Sequence, residues 1–235
     1  MLDICLSRAH PYFANEDRRI DSLMNRLVAL STLTLVIAMT GCKNDPETSS
    51  QITPQKVPGM SDFDYLACDG GPHLVLSKEL NGQWKGAPSM SAVLSPTSDY
   101  GRACAATTNQ LMALISVGKG QAMVLANPPL SAWGRSPEGW IDIYDLEAWA
   151  DTNTDAMLKR AIAATPTSGM TNTGKVMTLT QTGMTLLFAG DSPGNTAYGQ
   201  YSIPIDPGSY RVIEGHYKSG AKEEVYIYRL QPKKD

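Results

Sequence analysis

Cysteine and histidine are the residue types best suited to covalent chemistry, and this chain has few of them. Cys104 and His216 offer a thiol nucleophile and a general base, the two groups that a cysteine hydrolase needs. Neither residue lies in a recognisable catalytic motif, and an isolated cysteine and histidine more often have structural roles. We therefore expect no catalytic residue, and a hydrolase built on Cys104 or His216 is the least favoured of three hypotheses.

Metal and cofactor motifs are also absent from the sequence. No HExxH or CxxC spacing occurs, so we predict no zinc site. Gly118-Lys119-Gly120 lacks the third glycine of a dinucleotide-binding loop and the rest of a P-loop, and it is more typical of a tight turn. We expect neither a metal nor a cofactor.

Cys68 and Cys104 are the two cysteines in the region that we expect to fold. If the protein is exported, both lie in an oxidising compartment, where a disulfide can form. The bond would close a separation of 36 residues and stabilise the fold by roughly 3–4 kcal/mol. The alternative is a pair of buried thiols in neighbouring strands.

An acidic stretch with interleaved aromatic residues lies between Ser136 and Leu158. It contains six acidic residues and neither Lys nor Arg. Aromatic rings anchor protein interfaces and carboxylates steer a basic partner, so the stretch predicts a partner-binding surface. The residues assigned to this surface are Asp142, Tyr144, Asp145, Glu147, Trp149 and Asp151. The alternative is a solvated strand and helix start whose aromatic side chains face inward.

Residues 1–41 have the pattern of a targeting segment. An uncharged stretch at 27–39 is too short to span a bilayer and is followed by Met39-Thr40-Gly41-Cys42. This sequence resembles the bacterial lipobox, so we expect cleavage before Cys42 and lipidation of its thiol. A buried apolar helix or a simple anchor is the alternative. Because residues 1–23 are unusually acidic for an export signal, we predict that translation starts at Met24.

Residues 42–61 are rich in Ser, Thr and Pro and predict a flexible tether. Lys43 follows the lipobox cysteine where an aspartate would favour the inner membrane. We therefore expect a lipid-anchored protein on the periplasmic side of the cell envelope, at the outer membrane if the cell has one.

Composition and turn signals predict a single α+β domain at residues 62–235. The chain is 42% hydrophobic and 18% charged with a net charge of −3, which excludes a disordered tail and a nucleic-acid binder. A helix is predicted from Thr154 to Ala164, capped by Thr152 or Asn153. The other segments predict many short strands in a largely antiparallel sheet with one or two helices. These strands are expected at 65–68, 73–76, 111–117, 121–126, 140–144, 176–182, 184–189, 198–205, 210–217 and 225–230.

The order of short motifs in the domain is more specific than any one of them. Asp69-Gly70-Gly71-Pro72 precedes Trp84-Lys85-Gly86, and Asp99 to Cys104 precedes Gly120 to Leu125. This succession resembles the immunity protein 21 family of bacterial polymorphic toxin systems, over roughly residues 65–133.

The resemblance implies a non-enzymatic α+β protein that binds a cognate toxin and blocks it. With a lipid anchor, such a protein would meet a toxin that acts in the cell envelope. Gly70, Gly71 and Trp84 are expected to serve the fold, as turn and core residues. The second hypothesis is a periplasmic lipoprotein with a structural or ligand-binding role, whose Trp and Tyr side chains stack on sugars.

Overall fold

The computed structural model describes residues 63–68, 70–93, 95–126, 128–148, 153–221 and 223–234. Eleven strands lie in these residues. In chain order they are β1 (Leu66–Ala67), β2 (His73–Ser77), β3 (Met112–Val117), β4 (Gly120–Leu125), β5 (Leu130–Arg135), β6 (Ile141–Ala148), β7 (Thr171–Leu179), β8 (Met184–Phe188), β9 (Gln200–Ile203), β10 (Gly208–Ser219) and β11 (Glu223–Pro232). All of their pairings are antiparallel.

The strands form two sheets. Sheet A has the order β1-β5-β6-β11-β10-β7, and sheet B has the order β3-β4-β2-β8-β9. The chain changes sheets between β1 and β2, through the turn that contains Gly71. This glycine has a φ of +106°, a conformation that residues with a side chain rarely adopt.

Three helices and two short 3-10 turns complete the described structure. The helices are α1 (Met90–Val93), α2 (Asp99–Ala106) and α3 (Thr154–Ala164), and the 3-10 turns are Lys78–Leu80 and Thr167–Gly169. The Asn153 side chain caps α3 by accepting a hydrogen bond of 3.1 Å from the Ala156 amide. None of the described helices is long and apolar enough to cross a lipid bilayer.

The main core lies between the two sheets. Sheet A contributes Ile141, Ile143, Met177, Val212, Tyr228 and Leu230, and sheet B contributes Val75, Met123, Leu125, Met184 and Leu186. Side chains alternate between the two faces of a strand, so every second residue of these strands points to the outer face of its sheet.

Each outer face also carries an apolar layer. Outside sheet B, Ala103 of α2 and Trp84, which follows the first 3-10 turn, pack on Leu74, Leu76 and Val124. Outside sheet A, the apolar side of α3 packs on side chains of β5, β6 and β11; this layer comprises Ala132, Tyr144, Leu146, Met157, Leu158, Ala161, Val225 and Ile227. Burial on both faces explains why β2 and β8 contain three consecutive apolar residues each, at 74–76 and 186–188, rather than an alternating pattern.

The predicted antiparallel architecture is confirmed, although the domain is richer in strands than the α+β prediction implied and has two sheets. The helix at Thr154–Ala164 and the turn before Gly120 lie where the sequence placed them. Trp84 is only 1% exposed, as predicted for a core residue. The predicted leader and tether, with Cys42, lie outside the described residues.

Candidate functional site

Asp142 and Tyr144, two of the predicted partner-binding residues, lie in the interior. Asp142 is fully buried, and its two carboxylate oxygens accept hydrogen bonds of 2.7 and 2.8 Å from Arg229. Tyr144 is also fully buried, in the layer beneath α3. Neither side chain is presented to a partner in this conformation, and the inward-facing aromatic of the alternative hypothesis is the arrangement found for Tyr144.

The Asp142–Arg229 ion pair belongs to a larger polar network. Arg229 is 1% exposed and also donates to the Thr167 hydroxyl. Thr167 in turn donates to Glu138 at 2.7 Å, a residue at the surface. Burial raises the pKa of Asp142, and Arg229 offsets part of that rise. The acid therefore serves the fold as the partner of a buried cation.

Asp145 and Glu147 lie on the opposite face of β6, toward sheet B. Ile143 points into the main core, and residues two and four positions further along the strand point the same way. Asp145 is 3% exposed, whereas Glu147 is exposed. Trp149 and Asp151, the other predicted partner-binding residues, lie outside the described residues.

Two more acidic residues join them on the same face from β10 and β11. Glu224 of β11 is the register partner of Glu147 of β6. Glu214 of β10 is the register partner of Tyr228, which lies on the same face of β11 as Glu224. We call Asp145, Glu147, Glu214 and Glu224 the carboxylate cluster. Sequence reasoning missed Glu214 and Glu224. The strands predicted at 210–217 and 225–230, on either side of Gly220, form the hairpin that places these two residues on one face.

Basic and aromatic side chains border the carboxylate cluster. Glu224 accepts one hydrogen bond of 2.8 Å from Lys218, and its other carboxylate oxygen lies 2.8 Å from His216 Nε2. These contacts, with the Lys218 bond foremost, lower the pKa of Glu224 to about 2. The His216 ring stacks on Tyr226 with centroids 4.4 Å apart. Glu224 is thus held ionised beside an aromatic stack.

Asp145 is the most deeply buried acid of the cluster. Burial raises its pKa well above the ordinary value, and the neighbouring carboxylates Glu147, Glu214 and Glu224 raise it further. In the described part of the chain, no salt bridge reaches this carboxyl. The arrangement leaves a buried carboxyl without a cationic partner among the described residues, and a cation from outside would stabilise its ionised form.

A second polar chain joins the two sheets next to the cluster. The Cys68 Sγ lies 3.0 Å from His73 Nε2, and His73 Nδ1 lies 2.7 Å from Ser131 Oγ. Ser131 is the register partner of Asp145. Burial lowers the pKa of His73 to about 3. A neutral imidazole has one donor and one acceptor, which suits these two neighbours.

Cys104 and His216, the candidate nucleophile and base, belong to different parts of the fold. Cys104 lies on α2, which packs outside sheet B, and His216 lies on β10 of sheet A. The imidazole of His216 is bound to Glu224 rather than placed to activate a thiol. The thiol–imidazole contact in the structure is instead that of Cys68 with His73, which sequence reasoning missed; its only signal was the short spacing across a glycine turn.

The predicted Cys68–Cys104 disulfide is not formed in the structure, where both residues are thiols. Cys68 follows β1 and Cys104 lies on α2, so they are not in neighbouring strands as the alternative supposed. Both nevertheless border one turn: Tyr100, one helical turn before Cys104, lies against Gly71. The oxidised form stays a prediction.

We expect air-oxidised protein to migrate faster than reduced protein on a non-reducing gel, because the disulfide makes the denatured chain more compact. A Cys104→Ser variant should abolish the difference. Equal mobility of the two forms, with two titratable thiols in the domain, would contradict the prediction.

Gly190-Asp191-Ser192-Pro193-Gly194 fits the Gly-x-Ser-x-Gly pattern of a nucleophile elbow, another feature that sequence reasoning missed. In that motif the serine sits between a strand and a helix. Here the Asn195 amide donates to the Ser192 carbonyl at 2.9 Å in a tight turn, and the next element is strand β9. The pattern therefore marks a turn.

A small cavity lies at another part of the sandwich surface. Its volume is about 250 Å³, and its lining includes Arg135, Trp140, Asp206 and Tyr210. Ligand pockets typically enclose roughly 300–1,000 Å³, so the cavity gives little support to a sugar-binding role. Within the described ranges, no group of three His, Cys, Asp or Glu side chains is placed to hold a metal ion.

Comparison with known proteins gives one match. The sequence model of the family described as immunity protein 21 matches residues 64–223. The match includes sheet B and all strands of sheet A except β11, of which only Glu223 is matched, and it includes the carboxylate cluster apart from Glu224. No protein of curated function and no solved structure matches the chain.

Proposed function

The chain belongs to the immunity protein 21 family, and from this premise we propose that it binds a cognate toxin and neutralises it while anchored to the membrane. The observation that carries the proposal is the extent of the family match, which runs through most of the folded domain. Toxin immunity is the function that this family indicates. The protein would act by occupying the toxin, not by catalysis.

The surface chemistry supports a protein partner. The carboxylate cluster lies beside the Tyr226–His216 stack. Its member Glu147 is exposed to solvent, as are the bordering residues His216 and Lys218. Aromatic side chains next to unneutralised charge are typical of interfaces whose partner is oppositely charged. We therefore propose that the toxin docks on this end of sheet A through a basic surface.

The proposed anchor is a lipid on Cys42. It is supported by the lipobox sequence Met39-Thr40-Gly41-Cys42 and by the Ser-, Thr- and Pro-rich stretch that follows. A tether of this composition would hold the domain close to the periplasmic face of the membrane, and Lys43 favours the outer membrane. The toxin would then be one that acts in the cell envelope.

We expect a strain that lacks this gene to be outcompeted by a sibling that delivers the toxin encoded beside it. The full-length gene should restore survival. A Cys42→Ser variant should restore it poorly, because an unanchored protein is not retained where the toxin arrives. Competitive index and the membrane fraction of the protein are the two measurements.

Cys5→Ser is the matched control, because Cys5 precedes the proposed start at Met24 and its replacement should change neither measurement. If the deletion strain is no more sensitive than the parent, the immunity proposal is wrong. If Cys42→Ser protects fully from the soluble fraction, the anchor is not needed.

A further inference from the structure

We propose that the carboxylate cluster is a socket for a basic side chain of the toxin, an arginine in particular, and that Asp145 forms the floor of this socket. The inference rests on the proposed function, since the toxin supplies the side chain. It goes further by naming the residues that the partner must reach and the chemical group that reaches them.

Burial is graded across the cluster. Glu147 is exposed at its mouth, Glu214, Glu224 and Tyr226 are half-buried, and Asp145 is 3% exposed. The long side chains of arginine and lysine bury an aliphatic stem while their charged head reaches a polar group. Such a side chain would enter at Glu147 and extend toward Asp145.

Tyr228 places a second, independent polar group without a partner beside the cluster. Its side chain is fully buried, and its hydroxyl has no hydrogen-bond partner in the described structure. Tyr228 is the register partner of Glu214 in the β10–β11 pair, which places its side chain beside the cluster. Burial raises its pKa, and the Asp145 and Glu214 carboxylates raise it further. A buried hydroxyl without a partner is unfavourable, and a donor that enters beside it is stabilised.

Among the residues that the structure describes, the cations next to the cluster are engaged at its rim. Lys218 and His216 are both bound to Glu224 at the rim. The charges that act on Asp145 are those of Glu147, Glu214 and Glu224, all negative. The floor of the cluster therefore keeps a negative potential that an incoming cation can neutralise.

Arginine fits this site better than lysine. A guanidinium has five N–H donors in one plane, so it can donate to the Asp145 carboxylate and to the Tyr228 hydroxyl together. Its flat face also stacks on aromatic rings, and the parallel rings of Tyr226 and His216 lie at the entrance.

The test uses the full chain and a small cation, propylguanidinium, with propylurea as its neutral counterpart. In an NMR titration we expect saturable shifts at the amides of Asp145, Tyr226 and Tyr228 with propylguanidinium alone. Asp145→Asn should weaken this binding at least about tenfold. Asp206→Asn, which changes an exposed carboxylate elsewhere, should bind as the wild type does.

Equal binding by Asp145→Asn, equal binding of propylurea, or shifts spread over scattered surface carboxylates would each overturn the socket. The variant's thermal unfolding is measured in parallel. We expect its midpoint to be no lower than that of the wild type, so that weak binding is not a sign of misfolding.

Toxin binding separates this inference from the proposed function. If the wild type fails to bind or to protect against the toxin, the immunity proposal is wrong whatever the small cation does. If the wild type binds the toxin and Asp145→Asn binds it with unchanged affinity, immunity stands and the socket is wrong.

Discussion

Replacing Arg229 with alanine should destabilise the domain by about 3–5 kcal/mol, because it leaves Asp142 buried without a cation. Arg229 is 1% exposed and makes two hydrogen bonds to a carboxylate that is itself fully buried. The space that the truncated side chain would leave beside Thr167 adds to the loss. Urea denaturation followed by circular dichroism measures the free energy of unfolding.

Acid should reduce the deficit of Arg229→Ala. Burial raises the pKa of Asp142, and without Arg229 the main opposing influence is lost, so the pKa rises further. Protonation then neutralises the unpaired carboxyl, so the difference from wild type should shrink as the pH falls toward 4. The shrinkage distinguishes a stranded charge from a simple loss of packing.

Two controls bound this prediction. Arg160→Ala breaks an ion pair with Glu223 whose arginine is half exposed, and it should unfold close to the wild type. The double variant Asp142→Leu with Arg229→Met removes both charges and should regain most of the stability. A loss of less than about 1 kcal/mol for Arg229→Ala would mean that the ion pair does not balance the burial of Asp142.

Asp142 and Asp145 also show where sequence reasoning stops. Both lie in one acidic stretch, and spacing alone treats them as one surface. The fold places them on opposite faces of β6, one against Arg229, 87 residues further along the chain, and one against the strands from the final hairpin. Contacts this distant depend on strand order, which local patterns do not determine.

Elements with local signals were predictable. Helix α3 has a capping Asn153 and an acidic first turn, and these signals lie within the helix itself. Helix α2 was missed because it contains Gly101, which disfavours a helix. That glycine is required by tertiary contact: a side chain there would collide with the Ser95 carbonyl.

The predicted acidic surface and the carboxylate cluster overlap in only two residues. Glu147 and Asp145 were identified, whereas Glu214 and Glu224 were not. The pairing of Glu224 with Glu147 depends on β11 lying beside β6, although these strands are far apart in the chain. Family resemblance predicts a toxin partner without assigning the contact residues.

His73 should make the free energy of unfolding decrease in acid. The ring is fully buried between Cys68 and Ser131, and burial lowers its pKa to about 3. The unfolded chain binds a proton on this residue near pH 6.5. Between these values the unfolded state holds one more proton, so stability falls as the pH falls.

The expected slope is about 1.4 kcal/mol per pH unit, which amounts to on the order of 4 kcal/mol across the window from pH 6.5 to about 3. Asp145 acts with the opposite sign. Because its pKa is raised by burial, the folded state takes up a proton at this residue at a higher pH than the unfolded chain does, so the contribution of Asp145 to stability falls as the pH rises. The His73 contribution must therefore be measured as a difference between variants.

His73→Gln supplies that difference, because glutamine keeps a donor and an acceptor but does not titrate. We expect urea midpoints of the variant to decline less than those of the wild type between pH 6.5 and 4. His216→Gln is the comparison variant: its ring is 43% exposed, and its partner Glu224 keeps hydrogen bonds from Lys218 and Tyr226, so the replacement should change the acid dependence much less than His73→Gln does. Parallel curves for wild type and His73→Gln would contradict the prediction. They would show that the imidazole, although enclosed by Cys68 and Ser131, accepts its proton while the domain stays folded. In that case the region around His73 between the two sheets must open to water at a higher pH than that at which the domain unfolds.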